Sequence, residues 1–198
     1  MGRNKILSTI KMSSPEVSVF AIDWNIEGYL AIASTDENVV IKKFDPETKT
    51  FFDVTQLATN CASRIVTWNP MKPHILACGL FNGQIVIFNS IEMQVQTCIQ
   101  STTHRILCLN WHPQFDHILA SGSFDKILRV HDIKENSVKD FNFHTDRVRS
   151  VQWSAEVPWL LVSGGDDSKQ AVWDVRNKML IFCAEEPTLA MTSITTHA

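Results

Sequence analysis

Tryptophan recurs along this chain at an almost fixed interval, and that period constrains the fold more than any other feature. Trp24, Trp68, Trp111 and Trp153 lie 44, 43 and 42 residues apart, and each closes a short run alternating apolar and polar residues: VFAIDW, SRIVTW, ILCLNW and VRSVQW. A second marker keeps step. The pairs Phe44-Asp45, Phe88-Asn89, His131-Asp132 and Trp173-Asp174 advance by the same 44, 43 and 42 residues. Two markers in register over four copies define four units of one kind, and such units bury their apolar faces against their neighbours.

Within a unit the pattern is all-β. In the fourth copy VRSVQW reads as a half-buried strand and WLLVSG as a buried one. GDDS forms a turn, KQAVWD a third strand and MLIFCAE, after Asn177, a fourth. The third copy repeats this as ILCLNW, HILASG, SFDK, ILRVHD and VKDFNF, and nothing has a helical period. Four strands in ~40–45 residues, closing near a WD dipeptide, are the signature of a propeller blade.

The chain resembles the WD-repeat family over nearly its whole length, best in HTDRVRSVQWSAEVPWLLVSGGDDSKQAVWD. Elsewhere Phe44, Phe88 and His131 replace the tryptophan of WD, and Lys43 and Gln170 hold third-strand positions where the family prefers an apolar residue. The resemblance implies an all-β WD-repeat β-propeller with four four-stranded antiparallel blades, at about residues 17–57, 61–101, 104–144 and 147–186. Residues 5–10 read as the outer strand of one further blade and residues 189–196 as the first strand of another. Such rings usually hold ~seven blades. The expectation is an incomplete ring, either part of a longer protein, the favoured reading, or completed by another chain, because open sheet edges are normally paired or covered.

Composition narrows the function. Hydrophobic residues make up 44% of the chain, enough for a core, and the net charge is -3, without the basic surplus of proteins that grip phosphate backbones. No apolar run approaches the ~18 residues of a membrane helix, and MGRNKILSTIKMSSPEV lacks the features of a secretory signal. The five cysteines, an odd number without a C-x-x-C pair, fit buried thiols in a reducing compartment. These features predict a cytoplasmic protein, with the nucleus as the alternative, without membrane insertion, metal or cofactor.

His144, Ser163 and Asp167 supply the residue types of a hydrolase triad. No nucleophile elbow or oxyanion loop accompanies the serine. The resemblance instead implies that these three and Trp173 form a buried structural network in which each polar group satisfies another. Other blades keep parts of it: Ser121 and Asp125 with Thr102 and His131 in blade three, Cys78 and Asn82 in blade two, Ser34 and Asn38 in blade one.

Two surface readings remain. Residues 161–176, LVSGGDDSKQAVWDVR, fit the box by which some WD proteins dock on the damaged-DNA-binding adaptor of cullin-four ubiquitin ligases, and Arg176 is the position the blade itself does not dictate. On the top face, the turn residues Glu37, Phe81, Phe124 and Asp166 are expected beside the strand starts Ser18, Ala62, Arg105 and Arg147. Aromatic rings beside arginines compose interface hot spots. The leading expectation is therefore a non-catalytic scaffold that binds other proteins. A substrate receptor docking on the cullin-four adaptor is the second, and an RNA-binding propeller stacking bases on Phe81 and Phe124 the third, set back by the acidic charge.

Overall fold

The computed structural model describes residues 17–185. The expected partial strands at 5–10 and 189–196 lie outside the described residues. Blade one comprises β1 (Val19–Trp24), β2 (Tyr29–Ser34), β3 (Asn38–Asp45) and β4 (Thr50–Ala58). Blade two comprises β5 (Ser63–Trp68), β6 (Ile75–Leu80), β7 (Gln84–Asn89) and β8 (Gln94–Gln100). Blade three comprises β9 (Ile106–Trp111), β10 (Ile118–Ser123), β11 (Ile127–Asp132) and β12 (Ser137–Asn142). Blade four comprises β13 (Val148–Trp153), β14 (Leu160–Gly165), β15 (Lys169–Asp174) and β16 (Met179–Glu185). Each blade is a separate antiparallel sheet with its strands in sequence order, and the described residues contain no helix.

The two sequence markers have separate physical causes. The second residue of each marker pair caps the turn that follows it: the side-chain oxygens of Asp45, Asn89, Asp132 and Asp174 accept the N–H two residues on, at 2.9–3.0 Å. Lys49, Met93, Asn136 and Lys178 then adopt positive φ to reverse the chain.

The tryptophans join the blades. The first strands β1, β5, β9 and β13 pack in succession. The tryptophans that end β5, β9 and β13 donate their indole Nε1–H to the carbonyl preceding the previous tryptophan. Trp68 binds the Asp23 carbonyl at 3.2 Å, Trp111 that of Thr67 at 3.1 Å, and Trp153 that of Asn110 at 3.1 Å. Asp23 Oδ2 and Asn110 Oδ1 also accept the backbone N–H of Trp68 and Trp153, at 2.7 and 2.9 Å. Burial pushes the Asp23 carboxyl above its ordinary value, against the pull of the Trp68 and Trp24 amides. Trp68, Trp111 and Trp153 are 5%, 4% and 2% exposed, whereas Trp24, with no described blade before it, is 48% exposed. Between blades three and four the approach is close: a Cβ on Gly122 would sit 2.6 Å from Val148 Cγ1.

Blade one departs from the period in one respect. Its β1–β2 turn is two residues shorter than its counterparts, and its β3–β4 hairpin is two residues longer, so the lengths compensate. Pairing with Leu30, as Trp173 pairs with Leu161, places Lys42 rather than Phe44 at the tryptophan position. By the same register Ile32 and Asp36 stand where Ser34 and Asn38 were expected, and Thr35 replaces Glu37 beside Ser18, its N–H bound to the Ser18 carbonyl at 2.9 Å. A shift of two keeps every side chain on its face, which hides it from the hydrophobic pattern. Buried Lys42 reaches out to an ion pair with Asp53.

Candidate functional site

The Ser–His–Asp constellation assembles inside blade four beside Trp173. An indole can only donate, and Trp173 Nε1–H gives its hydrogen to Ser163 Oγ at 3.0 Å. Asp167 can only accept, so His144 presents Nδ1–H to it at 3.1 Å, and the Ser163 hydroxyl donates to the other ring nitrogen, Nε2, at 2.9 Å. The Thr145 and Lys169 amides complete the carboxylate, at 2.8 and 3.2 Å. Burial works to raise the Asp167 pKa, but the Thr145 amide and His144 outweigh it and hold the carboxyl below its ordinary value. Gly165 makes room, since a Cβ there would lie 2.6 Å from Asp167 Oδ1 and 2.8 Å from His144 Nδ1. The geometry superficially matches a triad, yet Ser163 is fully buried and one of its oxygen lone pairs is already engaged by the indole. A nucleophile needs access to its substrate, and this serine has none.

The other blades grade this network away. In blade three His131 holds the tryptophan position and meets Ser121 Oγ at 2.9 Å through Nε2, while Thr102 replaces the histidine and donates to Asp125 at 2.6 Å. Burial raises the Asp125 pKa, but Ser123 and Thr102 more than offset this. Burial, helped by the Arg129 charge, drives the His131 pKa down to about 4. Blade two puts Cys78 and Phe88 at the serine and tryptophan positions, both buried. Removing both partners of a hydrogen bond in favour of apolar groups leaves nothing orphaned.

The top face carries a continuous stack of rings and guanidinium groups. Phe81 and Phe124 are both half-buried at equivalent turns, their N–H groups bound to the Ala62 and Arg105 carbonyls at 3.0 Å. Arg105 lies between them, 5.0 Å from the centre of the Phe81 ring and 5.9 Å from that of Phe124. Arg147 covers Phe124 at 4.1 Å. Phe20, which sequence reasoning missed, extends the stack into blade one: it packs 5.3 Å from Phe81 and carries Arg64 at 5.1 Å. VFAIDW reads as an ordinary alternating strand, and no signal within it marks Phe20 as a surface residue. At blade four the turn residue is Asp166, which Arg149 grips through Nε at 2.8 and 2.9 Å, with Arg147 at 3.9 Å.

The bottom face presents Arg176, bound to Asp174 at 2.6 and 3.0 Å and lying 4.1 Å over the Trp159 ring. It rims an apolar groove of about 540 Å³ between blades three and four, floored by Phe115, Trp153 and Trp159. His112 crosses that boundary by donating Nε2–H to the Pro158 carbonyl at 2.7 Å, while its Nδ1 accepts the Gln114 and Phe115 amides.

Four-stranded blades joined through their inner strands, with a sealed polar network and a stacked ring-and-guanidinium surface, define a β-propeller of the kind that generally serves as a non-catalytic scaffold. The family model described as the anaphase-promoting complex subunit 4 WD40 domain matches residues 22–114, and that described as WD domain, G-beta repeat, matches residues 135–174. Together these span about two thirds of the chain, which belongs to the WD-repeat family. The chain is similar to the E3 ubiquitin-protein ligase COP1 of Arabidopsis thaliana, 31% identical over 100 residues that make up 50% of this chain and 15% of that protein. It also superposes on a chain in a crystal structure of the mitotic checkpoint complex with a TM-score of 0.74 at 21% identity, over 97% of this chain and 60% of that one, a likeness of fold.

Proposed function

We propose that this chain is an interaction scaffold whose top face, centred on Phe81, Arg105, Phe124 and Arg147, holds a protein partner. The carrying observation is the alternation of half-buried rings with arginines across neighbouring blades at one end of the propeller. Aromatic and arginine side chains dominate binding energy at protein interfaces, and here they are pre-ordered by stacking on one another. An RNA partner would need free ring faces for its bases, and the guanidinium groups already occupy Phe81 and Phe124. The test is quantitative co-purification from cells with wild type and a Phe81→Ala, Phe124→Ala double variant. The double variant is expected to lose the wild type's partners while thermal stability falls by only about 1 kcal/mol. An unchanged partner set would sink this reading.

The second reading, docking on the cullin-four adaptor through residues 161–176, is favoured by the exposed position of Arg176 and by similarity to a ubiquitin ligase. Docking would require Arg176 to exchange Asp174 for an acid of the adaptor. An Arg176→Ala arm of the same experiment decides it: loss of the adaptor alone supports that docking, and equal recovery removes it.

A further inference from the structure

We propose that the top-face stack is a receptor for an acidic polypeptide segment, whose carboxylates dock on the in-plane edges of the stacked guanidinium groups. This rests on the scaffold reading and specifies its partner.

Stacking a guanidinium on a ring occupies its face and leaves its N–H fork pointing outward in the plane, the geometry that binds a carboxylate through two parallel hydrogen bonds. Arg105 lies over both rings, 5.0 Å from the centre of Phe81 and 5.9 Å from that of Phe124, and among the described residues no carboxylate pairs with it. Arg64 rests on Phe20 and spends Nη1 on the Phe20 carbonyl at 3.3 Å. Blade four shows the complement. There the turn residue is an acid rather than a phenylalanine, and Arg149 closes on Asp166 with two contacts below 3.0 Å. The chain thus supplies its own carboxylate at blade four, whereas blades two and three put rings at the same turn and leave Arg105 unneutralised. Along this row Arg64, Arg105, Arg147 and Arg149 outnumber Asp146 and Asp166, although the chain as a whole carries -3. A flat base would have to displace a guanidinium to stack, whereas a carboxylate approaches the edge without disturbing the rings.

The test uses the full chain and fluorescein-labelled hexaglutamate in an anisotropy titration, with hexalysine and hexauridylate as parallel probes. Hexaglutamate is expected to bind, Arg105→Gln to weaken it at least fivefold, and Arg105→Lys to recover less than half of the loss, because an ammonium keeps the charge but not the stacked fork. Phe124→Leu, which keeps apolar bulk, should weaken binding by releasing Arg105 and Arg147 from their platform. Melting temperatures of all variants should stay near wild type, since the substituted groups are at the surface. Failure of hexaglutamate to bind, equal affinity for Arg105→Gln, or tighter binding of hexauridylate would each overturn the proposal. If the double phenylalanine variant still loses its protein partners in that event, the scaffold reading stands and only the acidic chemistry falls.

Discussion

His131 shows how much one side chain changes when it stands in for tryptophan. Trp173 brings an indole that cannot titrate, but His131 occupies the equivalent place in blade three as a buried imidazole with its pKa driven down from 6.5 to about 4. In the unfolded chain the group regains its ordinary affinity for protons. Between pH 6.5 and about 4 the unfolded state therefore binds more protons, and stability must fall as pH drops through that window. The contribution is fully present above neutrality and amounts to about 2 kcal/mol lost by pH 5. His131→Trp, which offers Ser121 the N–H that Trp173 offers Ser163, is expected to remove this part of the acid sensitivity. The measurement is urea unfolding at pH 7.5 and pH 5 for both proteins. What matters is the change between the two pH values, so a variant with lower stability at both still answers the question. Equal losses would mean that His131 carries a proton in the fold. This substitution was visible in the sequence as HD in place of WD. Its consequence was not, because burial and the nearness of Arg129 are properties of the packed blade.

At the scale of a blade, the joint between first strands repeats a single chemical rule. The residue before each tryptophan offers its carbonyl to the next blade's indole, and where it is Asp23 or Asn110 its side chain also caps the next tryptophan's amide. Asn110→Ala should orphan the Trp153 N–H and cost about 1–2 kcal/mol in a denaturant titration. Asn110→Asp should recover at least half of that, since Asp23 performs the same task. If the alanine variant matches wild type, the amide finds another partner and the side-chain cap contributes nothing. The tryptophan period made the blades legible, because each tryptophan answers to this joint. The second marker was legible for another reason, its turn-capping oxygen. What misled in blade one was the compensation of a short turn by a long hairpin, which preserved both the period and the in–out alternation. Lys42 in the core, and not Phe44, was the departure, and an internal lysine flanked by Ile41 and Lys43 carries no local sign of burial. The buried network of blade four was legible because all four of its residues fall at the family's positions. The top-face stack was legible only in part: the turns gave Phe81 and Phe124, while Phe20 and Arg149 sit inside strands where alternation alone decides neither exposure nor partner.

Across the whole molecule the joint has a direction. Blades two, three and four each give a tryptophan to the blade before, so the described residues hold three filled joints, and Trp24 has no described blade before it. Trp68, Trp111 and Trp153 are almost fully buried, and Trp24 is about half exposed, packing on Phe44 and Phe51 of its own blade with ring centres at 6.2 and 5.9 Å. Repeat arrays draw stability from such interfaces as well as from each unit, so equivalent residues should differ in worth according to whether their interface is filled. Trp111→Ala should cost ~3–5 kcal/mol, the usual figure for emptying a buried aromatic site, with the lost indole hydrogen bond included. Trp24→Ala should cost no more than about half as much, because about half of the ring is exposed and among the described residues no preceding blade accepts its indole N–H. Urea unfolding of the two variants beside wild type measures the difference directly. Equal costs would show that Trp24 is covered in solution by a further blade, presenting to it the same carbonyl that Asp23 presents to Trp68, and the open arc would then have to be redrawn as part of a closed ring.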